Sequence, residues 1–354
     1  MSSPLTSVSS CQHAQCVTKT AWRYVESLSV TTEMKKSVII LRFTLDAVSE
    51  EECLSSFRFR QLDIPYLAQV LRLPEKFICP NRTAALTEEA LCILLRRFAY
   101  PCRYVDMMPQ FGRSSQELSL IANKVMDEIY ETHGHLLTAI DHPWLTRGKL
   151  REMADAVHEV GAALPNCWGF VDGTVRPVCR PGKAQRILYN GHKRVHGIKF
   201  EQVLAANGII VRMYGPVEGK KHDAGVLRMS GLYQDLERHS WVPDGTPLCI
   251  YGDTAYPLRV HLQTGFKGAN LTPDQEQFHK SMSDVRTSVE WTFGEIVKDW
   301  AFLDFKKNLK LCLSAVGKMY LVGTLLRNAV TCCYGSQVCE FFDLAPPTLN
   351  EYFH

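Results

Sequence analysis

The sequence predicts an α/β chain with an all-α amino-terminal region, and three observations carry that expectation. Residues from about 25 to 165 are dominated by helical periodicity, residues from about 166 to 260 by glycine-punctuated, β-branched runs, and from Pro273 onward the pattern is helical again. The order is therefore helices, then strands interleaved with helices, then helices. The expected segments are a loose tail at 1–25, a helical region at 26–160, an α/β domain at 165–345 and an extended strap at 346–354.

Composition narrows the classes further. The 354 residues are 46% hydrophobic and 22% charged, which excludes a wholly disordered, collagen-like or membrane-bundle chain. Forty Lys and Arg against 37 Asp and Glu leave a formal charge of +3, too mild to argue a polyanionic partner without local clustering. The thirteen Cys show no CxxC pair and no zinc-finger spacing, so buried reduced thiols are expected. Met1–Thr20 lacks the apolar core of a secretory signal, and the apolar stretch Val316–Cys333 is interrupted by Lys318 and Arg327. A core helix is expected there, in an intracellular protein with no membrane span.

In the first half, Thr87 followed by Glu88 and Glu89 reads as a capped helix start, with a run through Leu91, Leu94, Leu95 and Phe98 to a stop at Pro101. The short segment Arg103–Met108 leads to Pro109 and a turn at Phe111-Gly112. Ser114-Ser115-Gln116-Glu117 then has capping-box spacing before a helix whose Leu118, Ile121, Val125 and Ile129 share a face. Short helix, glycine turn and longer capped helix resemble a helix-turn-helix over residues 103–130. In a DNA-binding reading, Arg113, Ser114, Ser115 and Gln116 stand at its groove-facing end.

The second half carries the chemistry. An apolar run from Cys167 ends in Asp172-Gly173, expected at a strand's carboxyl end. Two strands, His196–Ala206 and Ile209–Tyr214, are joined at Asn207-Gly208, the strongest hairpin signal in the chain. Lys221-His222-Asp223 opens a helix-like run to Ser230, where Asp223 reads as a helix cap and is left outside the reacting set. A further strand, Pro247–Gly252, delivers Asp253, and Val285–Trp300 has helical periodicity with Arg286 and Glu290 one turn apart. Three carboxylates on separate elements suit a hard divalent cation, and two such ions about 4 Å apart can cut a phosphodiester without a covalent protein intermediate. His192 and His196 have no zinc spacing, and Trp291, Trp300 and Phe302 read as core.

Phe170-Val171-Asp172-Gly173-Thr174, Tyr251-Gly252-Asp253-Thr254-Ala255-Tyr256-Pro257 and Arg286–Gly294 resemble the three signature blocks of the PIF/Harbinger transposases, the DDE superfamily endonuclease family. Residues 190–200 and 215–223 resemble that family's linkers in the same order, so the likeness covers about 165–345. It implies an RNase H-like fold, a mixed sheet flanked by helices, and Mg²⁺- or Mn²⁺-dependent nuclease or strand-transfer activity with two ions. The catalytic and metal-holding acids carried over are Asp172, Asp253 and Glu290. Where many relatives carry basic residues after Phe293-Gly294, this chain has Glu295-Ile-Val-Lys298-Asp299-Trp300, which argues against DNA contacts from that helix.

Between Gly173 and Phe200 stand Arg176, Arg180, Lys183, Arg186, Lys193, Arg194 and Lys199 with no acid among them. Seven cations directly after a metal-binding acid suit a phosphate backbone, so they are the expected DNA contacts together with Arg113. The expected partners are transposon terminal repeats or sites derived from them, a separate Myb-like DNA-binding protein and a second copy of the chain, in the nucleus. The competing expectation is a domesticated, catalytically silent DNA-binding or protein-interaction module.

Overall fold

The computed structural model describes residues 43–268 and 270–354. The expected tail at 1–25, and residues 26–42 of the helical region, lie outside the described residues.

The first described helices are α1 (Glu50–Phe57) and α2 (Asp63–Val70). Ser49 caps α1 by accepting from the Glu52 amide at 3.2 Å, and three glutamates in the first turn face the positive end of the helix dipole. A two-stranded antiparallel hairpin follows, β1 (Lys76–Ile78) and β2 (Ala84–Leu86), so this region is not all-α. Its turn closes locally: Arg82 takes a left-handed φ of 66°, and the Asn81 side chain accepts from the Thr83 amide at 3.1 Å. Asn81-Arg82-Thr83 therefore serves the hairpin.

α3 (Thr87–Ala99) ends two residues before Pro101. Thr87 does not cap it; its hydroxyl donates to the Pro74 carbonyl and ties the helix start to the preceding loop. α4 (Tyr104–Phe111) and α5 (Ser115–His133) are joined through Gly112, whose φ of 60° closes the turn, and Ser114 and Glu117 form the expected capping box. α6 (Arg147–Glu159), capped by Thr146, leads into the sheet.

The main sheet comprises β3 (Cys167–Pro177), β5 (Val195–Ala205) and β6 (Ile210–Glu218), then β7 (Cys249–Gly252) and β8 (Leu262–Thr264). The short helix α7 (Gln185–Leu188) and the two-residue strand β4 (Tyr189–Asn190) lie between β3 and β5, and β4 pairs with the start of β5. The order β6-β5-β3-β7-β8 is mixed: β6, β5 and β3 form an antiparallel meander, and β7 and β8 add parallel to β3. The hairpin between β5 and β6 turns at Asn207-Gly208 with φ of 80° at the glycine, as the sequence indicates. Two helices, α8 (Asp223–Ser230) and α9 (Leu232–His239), connect β6 to β7.

After the sheet, α10 (Pro273–Asp299) starts at a Thr272–Gln275 capping box with Pro273 at its first position. It is longer than the periodicity from Val285 suggests. α11 (Val316–Tyr334) is the expected core helix, packed on α5, α10 and β6. No helix among the described residues is long and apolar enough to cross a membrane. α12 (Gln337–Phe342) and α13 (Leu349–Phe353) complete the chain. The expected extended strap at 346–354 is thus helical, because Thr348 and Glu351 form a capping box and Tyr352 and Phe353 bury against the core. Residues of the helical region and of the sheet share one continuous hydrophobic core.

Candidate active site

Asp172 does not end its strand. β3 runs on to Pro177 against β5, while its other neighbour, β7, stops at the Val171–Gly252 pair. Asp172 therefore sits where the sheet opens on one side, and Asp253, the next residue after β7, follows at the same level. Neighbouring strands lie about 4.8 Å apart, so one register position brings two carboxylates from distant chain segments together. The turn at Asp253 is closed by a Tyr256 amide donating to its carbonyl at 2.9 Å, with the Asp253 carboxylate accepting from the Thr254 amide at 2.5 Å.

The third acid arrives on α10, which packs on β3 and β7. Arg286 and Glu290, one turn apart, bring a guanidinium and a carboxylate to the opening: Arg286 Nη2 lies 3.2 Å from Glu290 Oε1 and Nη1 lies 4.0 Å from Asp172 Oδ2. Asp172, Asp253 and Glu290 all line one open cleft of about 590 Å³. The structure thus gathers the three sequence-predicted acids on one side of the molecule.

It adds a fourth, Asp223, which sequence reasoning treated as a cap. Its side chain caps nothing in α8; it lies against the Cα of Gly173 and accepts from Lys199 Nζ at 2.6 Å. A Cβ at position 173 would collide with that carboxylate. The Asp172-Gly173 pair, suggestive of a turn, is a strand segment in which glycine makes room for Asp223. Lys199 is nearly buried and also donates to the Lys221 carbonyl at 3.1 Å, which fastens the loop before α8 to the cleft wall.

Burial pushes the Asp172 carboxyl up to about 6; the Gly173 amide and Arg286 oppose this, and the charges of Asp223 and Glu290 reinforce it. Below the cleft, Glu201 is paired across the strands with Gly173 and is almost wholly buried. Burial raises it to about 7, against the pull of Arg212 and Lys199. Arg212 Nη1 stands 3.8 Å away, and Arg212 Nε is held by Asp235 at 3.3 Å.

The predicted DNA contacts separate into two groups. Arg180, Lys183, Arg186, Lys193 and Arg194 are exposed, and Lys193 lines the cleft with Lys220 and Lys221, two lysines the sequence reading passed over. Arg176 is buried against the rings of Tyr320 and Phe293, at 5.0 and 5.7 Å, because α10 and α11 cover that end of β3. It is a packing residue and not a DNA contact. Lys199 faces Asp223 and is not free for a phosphate. Arg113 is likewise not a groove contact: Glu89 holds it through two side-chain contacts, one of 2.7 Å, and it donates to the Ala84 carbonyl at 2.8 Å, bracing α5 against the β1–β2 hairpin.

The four carboxylates lining the cleft offer oxygen donors, the kind hard divalent cations take, with His192 and His222 beside them. Among the described residues, no three His, Cys, Asp or Glu side chains approach closely enough to hold a metal ion. In this arrangement Asp172, Asp223 and Glu290 face cationic side chains instead, and Asp253 faces none among the described residues.

Residues 171–328 match the DDE superfamily endonuclease family. This stretch is similar to the endonuclease domain of that superfamily. It spans β3 to the middle of α11, so all four cleft acids lie within it. A curated relative, "Protein ALP1-like" of Arabidopsis thaliana, is 20% identical over 266 residues, 71% of this chain and 63% of that protein. The chain thus matches under two thirds of its relative's length. No solved structure matches the chain.

Proposed function

We propose that the chain is a DDE-type endonuclease or transposase that cleaves, and as a transposase also joins, DNA phosphodiesters. One observation carries the reading: Asp172, Asp253 and Glu290, 81 and 37 residues apart in sequence, come from three elements to line one open cleft. In this reading they hold two Mg²⁺ or Mn²⁺ ions. When bound, such ions activate water and stabilise the leaving oxygen of the cut strand.

The chain's own groups do the rest. Lys193, Lys220 and Lys221 on the cleft wall draw a phosphate backbone toward the acids. Arg286 neutralises Asp172 and Glu290 until a cation takes that part. The meander followed by two parallel strands supports an RNase H-like assignment. The α4–α5 pair supports a helix-turn-helix, with exposed Gln116 at the start of its longer helix. Transposon ends or derived sites as substrate, a separate Myb-like partner, self-association and a nuclear setting belong to the same proposal.

The test is cleavage of a DNA duplex with Mg²⁺ by Asp172→Asn, Asp253→Asn and Glu290→Gln. Each is expected to abolish nicking while DNA binding persists. Wild-type rates in any one of them remove that residue from the reacting set.

A second reading, a silent DNA-binding or protein-interaction module, is favoured by the acids' engagement with Arg286 and Lys199 and the absence of a ready metal cluster among the described residues. Calorimetric titration with Mn²⁺ separates the two. Binding that Asp172→Asn removes supports the enzyme; DNA binding indifferent to metal, with no nicking, supports the module.

A further inference from the structure

The cleft is continued by a second basic recess. Val175 of β3 lines the cleft and Pro177, two residues on and about 7 Å along the strand, lines an adjoining groove of about 310 Å³. Three chain segments wall the groove: 177–180, 194–196 and Lys306-Lys307. Backbone hydrogen bonds fix them to one another, Val178 N to His196 O and Cys179 N to Leu309 O, both at 2.9 Å. The recess is therefore a formed feature and not a gap between unconnected loops.

Its charge is one-sided. Arg180, Arg194, Lys306 and Lys307 line it beside His196, and no acid does. None of these four cations forms an ion pair within the described residues; Arg180 donates only to the Gln185 side chain, at 3.0 and 3.1 Å. Four cations held close without counter-charge repel one another, and an anion relieves that repulsion. A small anion satisfies one or two of them. Cations on three walls of an open groove that continues the cleft suit an extended polyanion.

We propose that this groove is a phosphate-backbone subsite for DNA flanking the cleavage point, with Lys306 and Lys307 as contacts alongside Arg180 and Arg194. The inference rests on the DNA-cleaving reading and deepens it by naming where the strand leaves the cleft. Lys306 and Lys307 follow α10, far along the chain from the basic run at 173–200, and only the fold brings them beside it.

The experiment measures binding of a labelled DNA duplex, long enough to cross both recesses, to the full chain and to its Lys306→Gln/Lys307→Gln variant over a series of KCl concentrations. Two lost phosphate contacts are expected to make the slope of log K against log salt shallower by about 2 and to weaken binding at every salt concentration. Lys306→Arg/Lys307→Arg is expected to restore the slope. Wild-type affinity and slope in the Gln variant overturn the subsite while leaving the DNA reading in place. A wild-type chain that binds no DNA duplex overturns both, and a slope change seen with RNA but not DNA overturns the proposal for DNA.

Discussion

Two stretches of α10 carry similar charges and put them to opposite use. Near its carboxyl end, Glu295 and Asp299 converge on Arg327 of α11 at 3.1 and 2.6 Å, with 17% of each acid and 7% of the arginine exposed. Two turns earlier, Arg286 serves Glu290 and Asp172 at 3.2 and 4.0 Å, and Glu290 is 55% exposed. The first cluster is short-ranged and sealed, and it joins two helices. The second is loose and open, shares its cleft with Asp223 and Asp253, and leaves Asp253 without a cationic partner among the described residues. Open, incompletely compensated charge is available to a ligand, whereas sealed and matched charge is not.

The comparison also explains the departure from the family pattern. After Phe293-Gly294, where the sequence departs from the resemblance, Glu295 and Asp299 answer Arg327. The acids there are part of how α10 docks on α11.

The largest expected effect is at the open end. Glu290→Gln should cost at least about a thousandfold in cleavage while moving stability by less than about 1 kcal/mol, since its ion pair is exposed. Nicking assays beside urea unfolding check both halves; a stability loss comparable to the loss of function would erase the contrast. At the sealed end, Arg327→Ala strands two mostly buried carboxylates and should lose about 3 kcal/mol in urea unfolding. A change under 1 kcal/mol would show that cluster to be ornamental.

Asp172 sharpens the contrast through pH. Its folded pKa of about 6 lies above the ordinary aspartate value, so the folded chain keeps a proton there that the unfolded chain has already lost. The stability this provides is present at low pH and disappears as pH rises through 6. Asp172→Asn should therefore be more stable than wild type in urea unfolding at pH 8, by on the order of 2 kcal/mol, with the advantage gone near pH 4. A constant difference across that range would mean that burial does not disfavour the charge.

Gly173→Ala should lose about 1–3 kcal/mol and impair cleavage together, because the added methyl displaces Asp223. If thermal melts and nicking rates both match wild type, Asp223 does not need that approach. The smallest effect belongs to Arg113: Arg113→Gln should weaken folding through Glu89 and leave duplex affinity nearly unchanged. Lost affinity at unchanged stability would return that residue to the DNA interface.

Much of this molecule was legible in residue order because it depends on local physics. Capping at Ser114–Glu117, the Asn207-Gly208 hairpin and the apolar run of α11 are decided within a few residues, and the three acid-bearing blocks stand at recognisable positions in the chain. Another feature was local but read wrongly: the end of the chain, expected as an extended strap, is helical because the cap on α13 uses side-chain bonds that propensity alone does not weigh.

What the fold alone decided is which charges meet. Arg113 and Arg176 look identical to Arg180 and Arg194 along the chain, yet Glu89 engages the first, the Phe293 and Tyr320 rings bury the second, and the other two are exposed. Asp223 reaches the cleft because Gly173 lies across from α8, and Lys306 joins Arg180 because backbone bonds draw their segments together. Composition and pattern report a residue's own chemistry. Its partners are set by contacts between separate segments of the chain, which close only when the shared core forms.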